Sequence, residues 1–174
     1  MKLERNVEVV HNPDGKRVVM IKEILFTGRQ KIQWDKVEAY AKQYVGKYIE
    51  VDETGDVIYL ASDLPDEYSN SKYTARLKGT LAKAKANAVQ GIPEMIKIAA
   101  NRRFQENQNE KHAVNAKRGW YRYDARFALP VYADNGEVIR YNIFQGELVV
   151  RHSANGKMYL YDLINIKKET GTPL

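Results

Sequence analysis

No cysteine occurs anywhere in this sequence. Disulfides, thiolate nucleophiles and Cys-ligated zinc are therefore all excluded. Histidine is scarce as well: His11, His112 and His152 stand far apart, so no pair has ligand spacing, and neither a metal nor a cofactor is expected. Long apolar runs are missing. No stretch approaches the roughly 20 residues a membrane-crossing helix needs, and Met1 to Asn6 lacks the apolar segment of a signal peptide. The expectation is a cytoplasmic chain with no membrane partner. Absent too are a P-loop, Gly-x-Gly-x-x-Gly, Gly-x-Ser-x-Gly and His-Glu-x-x-His, which removes the commonest nucleotide-binding, hydrolase and metalloprotease signatures.

What is present is enough apolar residue, 44% of 174, to bury a real core. The net charge of +6 is unevenly spread. Between Lys72 and Arg126 stand thirteen Lys or Arg against four acids, a local +9 that leaves −3 for the remainder. A basic middle between mildly acidic flanks fits a protein that holds a phosphate backbone, and it equally fits helix faces kept soluble by Lys and Arg.

Periodicity and turn chemistry order the chain. Asn12-Pro13-Asp14-Gly15 lies between apolar runs at Val7 to Val10 and Val18 to Phe26, predicting a hairpin. Trp34, Val37, Tyr40 or Ala41, Tyr44 and Val45 recur at helical spacing, closed by Gly46. Tyr48 to Val51 and Val57 to Leu60 flank a second turn. Asp63 to Ser71 reads as a polar linker, although its acids Asp63, Asp66 and Glu67 are close together. Leu77, Leu81, Ala84 and Ala88 line one helix face, Gly91-Ile92-Pro93 breaks it, and a second helix carries Ile96, Ala99, Ala100 and Phe104 inward as far as Asn107 to Asn109. Three β-prone segments follow, Trp120 to Tyr132, Val138 to Arg151 and Lys157 to Lys168, joined at the Asn135-Gly136 and Asn155-Gly156 steps. The predicted class is α+β: helices packed on a C-terminal antiparallel β-meander, with a small N-terminal α/β-hairpin unit. Residues 1–62 form that β-β-α-β-β unit and 72–174 the basic helical and sheet domain, unless the two are one continuous domain.

Two basic helices, Lys111-His112 at their exit, the strand Gly119-Trp120-Tyr121-Arg122-Tyr123 and the terminal run Gly156 to Thr170 follow one another in this order. Together they resemble phage and mobile-element domains associated with large polyvalent proteins, which we connect with the barnase/EndoU/colicin/RelE-like nuclease fold. The resemblance covers the chain from about Ile24 to the end, and Tyr159 to Asp162 with Ile166 to Glu169 is its most specific part. It implies a metal-independent ribonuclease, with RNA as partner and room for a phage or immunity protein as a second one.

Cleaving RNA without metal needs a base for the 2′-OH proton, an acid for the leaving oxygen and cations for the phosphorane charge. His112 suits either proton-transfer role, and equally a surface histidine. In an extended strand Arg118, Arg122 and Arg126 share one face with Trp120 and Asp124, opposite Tyr121, Tyr123, Ala125 and Phe127. That arginine row suits phosphate, or an exposed face balanced by cross-strand acids. Tyr159 and Tyr161 share a face, with Tyr141 a neighbour from the strand before, and such phenols either contact RNA or fill a core. The candidate catalytic residues are thus His112, Arg122, Arg126 and Tyr161; Lys111, Arg118, Tyr159 and Lys167 are the candidate nucleic-acid contacts, and Thr170 and Thr172 stand where the resemblance implies a hydroxyl. Two readings follow: an RNA-cleaving domain, or a non-catalytic nucleic-acid-binding or phage structural protein.

Overall fold

The computed structural model describes residues 5–28, 31–105 and 118–169. Lys111 and His112, with Thr170 and Thr172, lie outside the described residues. The elements in chain order are β1 (Val7–His11), β2 (Arg17–Ile21), α1 (Trp34–Ala41, continued by a 3-10 turn at Lys42–Tyr44), β3 (Tyr48–Glu50) and β4 (Val57–Tyr59). Then come α2 (Leu64–Asn70), α3 (Lys72–Arg76), α4 (Gly79–Ala88, with a 3-10 turn at Val89–Gly91) and α5 (Ile92–Ile98). The chain finishes with β5 (Ala100–Gln105), β6 (Trp120–Tyr132), β7 (Val138–His152) and β8 (Met158–Lys168).

The fold is α+β, with a curled mixed sheet in the order β1-β2-β6-β7-β8-β4-β3 and β5 paired to β6. The three C-terminal strands form the expected antiparallel meander. The N-terminal elements appear in the expected order but form no sheet of their own. The β1–β2 hairpin docks in parallel on β6, and β3–β4 docks in parallel on β8 at the other side of the meander. One apolar cluster draws on both halves, joining Val19, Val37, Tyr44 and Ile58 to Tyr123, Phe127, Leu148 and Leu163. Helices α2, α4 and α5 contact the meander, but α5 also rests on β2 and β3, so the helical layer spans more than the C-terminal strands.

Three expectations are corrected. The helix face of Leu77, Leu81, Ala84 and Ala88 is interrupted: α3 ends at Arg76, Leu77 and Lys78 are extended, and α4 starts at Gly79. The polar segment 63–71 is mostly the helix α2, with Pro65 in its first turn and Leu64 and Tyr68, one turn apart, fully buried. The second basic helix does not continue to Asn109: it stops at Ile98, and Ala100–Gln105 turns into a strand along β6. Asn101, at φ 60, sits in the irregularity between the Ala100 and Arg103 pairings. Phe104 is not inward but 58% exposed, its ring 5.2 Å from Tyr121. Sheet pairing has overridden a helical apolar spacing, a competition that residue propensities alone do not decide.

Close packing around the meander gives a first prediction. A Cβ on Gly146 would lie 2.8 Å from Leu163 Cδ1 and 3.3 Å from Ile166 Cγ1. Gly146→Ala should cost about 1–3 kcal/mol through overpacking, measured by urea denaturation. A loss within error of zero would mean that the β7–β8 layer relaxes freely.

Candidate functional site

Alternation along β6 sorts its side chains as expected: Tyr123, Ala125 and Phe127 are buried, while Trp120, Arg122, Asp124 and Arg126 are only partly so. Strand register then carries Arg122 across the sheet, because Arg122 pairs with Val149 and Val149 with Asp162. Paired residues point to the same face, so the register aligns Arg122 and Asp162 in one cross-strand row, two strands apart, and both line one groove. Between the Val149 and Val150 pairings β8 carries one extra residue, Tyr161, and such bulges re-aim side chains. Helices α2 and α3 wall the face. The result is a groove of about 500 Å³ lined by Asp66, Glu67, Ser71, Lys72 and Tyr73 opposite Arg122, Tyr161 and Asp162.

Each group in the groove has a definable state. The Tyr161 phenol is pushed well above its ordinary pKa, first by burial and then by its hydrogen bond to Glu67, so it remains a neutral donor. Its ring meets Trp120 edge-on at 5.2 Å. Arg122 Nη1 donates to Glu147 Oε1 at 3.3 Å and its side chain is 36% exposed, a long single contact that leaves the guanidinium partly available. Lys72 is exposed on the rim. Asp162 in turn holds a group outside the lining: the Lys85 ammonium of α4 is fully buried, donating to Asp162 Oδ1 at 2.5 Å and to Thr74 Oγ1 at 2.6 Å. The Tyr68 and Tyr73 rings stand 4.7 and 5.1 Å from it. Burial pushes Lys85 down and Asp162 up, each toward its neutral form despite the attraction between them.

The other sequence candidates lie elsewhere. Arg126 is four residues along β6 from Arg122, about 13 Å at a strand's rise. Only 11% exposed, it is held bidentately by Glu169 at 2.8 and 2.6 Å and also contacts Asp14. It lines a different cavity, among the carboxylates of Asp14, Glu53, Asp124 and Glu169. Lys167 shares the cross-strand row of Arg126 through Gln145. Arg118 lies at the far end beside Gly156. Tyr159 packs under the Arg151 guanidinium, 4.5 Å away, and against Tyr59. Tyr141 is no neighbour of either phenol: it joins Val18, Ala128 and Ile143 in a small separate cluster.

Folding also redistributes the basic charge. Lys85, Lys97, Arg102, Arg103, Arg122 and Arg126 all pair with carboxylates, mostly from the acidic flanks. Among the described residues of Lys72 to Arg126, the cations outside such pairs are Lys72, Arg76, Lys78, Lys83 and Arg118. Four of these five belong to the α3–α4 region. Sequence reasoning missed Glu67, Asp162 and Lys85 as site-forming groups. Pro65 followed by Asp66 and Glu67 was the available signal for the first, since a proline and acids mark a helix start. Nothing local marks a buried lysine.

These pairings set an acid limit. Burial tends to raise Asp56, but hydrogen bonds from Tyr123, Thr54 and Arg102 outweigh it and hold the carboxyl below its ordinary 3.8. Burial likewise opposes Glu147, which Asn165, Arg122 and Arg103 hold below 4.5. A carboxylate depressed on folding adds stability above its unfolded pKa and loses it as pH falls through the folded value. Stability should therefore drop as pH falls below about 4, with Asp162, raised on folding, contributing the opposite slope. Denaturation midpoints against pH test this. Asp56→Asn should flatten the acid slope, and an unchanged slope would remove Asp56 from the account.

No family model matches the chain, and no curated protein or solved structure matches it.

Proposed function

We propose that this chain is a ribonuclease-like, RNA-binding domain of the phage and mobile-element type, cleaving RNA by metal-independent transesterification. The observation that carries the reading is the convergence on one groove of Arg122 and Tyr161, both marked out by sequence chemistry, with Glu67 and Lys72. In this reading the Glu67 carboxylate takes the 2′-OH proton as the 2′-oxygen attacks phosphorus. Arg122 and Lys72 hold the charge of the phosphorane, and the Tyr161 hydroxyl orients Glu67. The bond from phosphorus to the 5′-oxygen then breaks, that oxygen takes a proton from a general acid, and a 2′,3′-cyclic phosphate remains. His112 is the sequence's candidate for the acid.

The test is incubation of the purified protein with total RNA in EDTA, with end-group analysis of the products. Cleavage leaving cyclic phosphate ends supports the reading, and intact RNA counts against it. A second reading, nucleic-acid binding without turnover, is favoured by one observation: among the described cations from Lys72 to Arg126, those outside ion pairs gather on α3–α4 rather than on the β6 row. Salt-sensitive binding with intact RNA would select it.

A further inference from the structure

A second cavity, of about 840 Å³, lies on the other side of the α2–α3 junction, where Asn70 borders both it and the groove. Its volume falls in the range of small-molecule sites. We propose that this cavity binds a phosphate monoester carried on a flat apolar body, a nucleoside monophosphate in chemical class. The inference is independent of whether the groove turns over RNA.

Three observations support it. The first is the start of α4. Lys78 occupies the N-cap position with extended backbone and no side-chain cap, since a lysine has no acceptor to offer. The neighbouring α3 differs, its Ser71 accepting from the Thr74 N–H. The ten-residue α4 thus presents its first N–H groups and positive dipole end to the cavity. The space beside Gly79 is open, since a Cβ there would meet nothing within 4 Å; it is the φ of +58 that favours glycine.

The second observation is independent of the helix. Ser69, on α2, lines the same cavity at 2% exposure, and its Oγ has no hydrogen-bond partner. An unpaired buried hydroxyl costs free energy, and a phosphate oxygen would satisfy it as an acceptor.

The third is the composition of the wall. Lys31, Lys78 and Lys83 border the cavity, and no carboxylate does among the described residues. The nearby acids Glu38 and Asp66 are both engaged by the Asn70 amide. Trp34, Ile32 and Leu77 supply an apolar part of the lining. A doubly charged phosphate matches the helix end and lysines, and an aromatic base matches the indole.

The test is NMR titration of the whole chain, following the Gly79 and Thr80 amides and the Trp34 indole N–H. Adenosine monophosphate should shift all three, inorganic phosphate the two amides more weakly, and adenosine none. Lys78→Glu with Lys83→Glu should weaken the nucleotide by about tenfold or more. Ser69→Ala should weaken it about threefold without lowering thermal stability, because that hydroxyl has no internal bond to lose. A 5′-phosphorylated oligoribonucleotide should reproduce the shifts and its 5′-hydroxyl counterpart should not. Adenosine binding as well as the monophosphate, unchanged affinity in the double lysine variant, or equal shifts from the 5′-hydroxyl oligonucleotide would each overturn the proposal.

Discussion

Asp162→Ala is expected to destabilise the protein by about 3–5 kcal/mol, because it leaves the Lys85 ammonium buried without its counter-charge. The side chains of Lys85 and Asp162 are 0% and 3% exposed, so water cannot replace the lost partner. Thr74 Oγ1 and the faces of Tyr68 and Tyr73 remain around the ammonium, but none of them carries a full negative charge. A domain holds only about 5–15 kcal/mol in total, so this one atom group decides much of the stability. Lys85→Ala should be comparably damaging, leaving the Asp162 carboxylate, among the described residues, to the Leu163 N–H and Ser71. The two shifts toward neutrality say that desolvation exceeds the attraction between the partners. Lys85→Met combined with Asp162→Leu should therefore fold about as stably as the parent, or more so. Chemical denaturation of the three variants checks this. A loss below about 1 kcal/mol in Asp162→Ala would show that the site relaxes to admit water.

Glu67→Gln should lower RNA cleavage by about a hundredfold or more, as expected when a general base is lost. The substitution keeps the shape and the acceptor for the Tyr161 hydroxyl, so a drop in rate with an unchanged melting temperature separates chemistry from folding. Arg122→Ala should cut the rate by a similar order, having removed positive charge from the phosphorane. Arg126→Ala is the informative contrast. Its guanidinium is committed to Glu169 and Asp14, so stability should suffer more than turnover. His112→Ala in the same assay asks whether the leaving oxygen takes its proton from that residue. Glu67→Gln retaining full activity would remove the groove as the reacting centre, and a loss confined to His112→Ala would move that centre to the 106–117 segment.

The elements that the sequence announced were those with local causes. Turns at Asn12-Pro13-Asp14-Gly15, Asn135-Gly136 and Asn155-Gly156 mark their own hairpins, because a glycine in the left-handed region closes the chain whatever surrounds it. The β6 alternation put Arg122 on one face and Tyr123 on the other, and the period of a strand guarantees that division. Helix α1 showed in the spacing of Val37, Ala41 and Tyr44, all fully buried. Residues 100–105 failed the same reasoning, since Ala100 and Phe104 fit a helix by spacing and a strand by neighbourhood, and only β6 settles which.

What the sequence determined, then, was the sign and order of the parts: the basic middle, the meander, the face of Arg122 and the absence of thiol chemistry. What tertiary structure decided was who meets whom. It buried Lys85 against Asp162, 77 residues away, and neutralised Arg102 and Arg126 with acids from distant segments. It joined Glu67 to Tyr161 and left the start of α4 open beside the unpartnered hydroxyl of Ser69. Such pairings depend on sheet order and on one-residue bulges that shift register, and a linear pattern of charge carries no record of either.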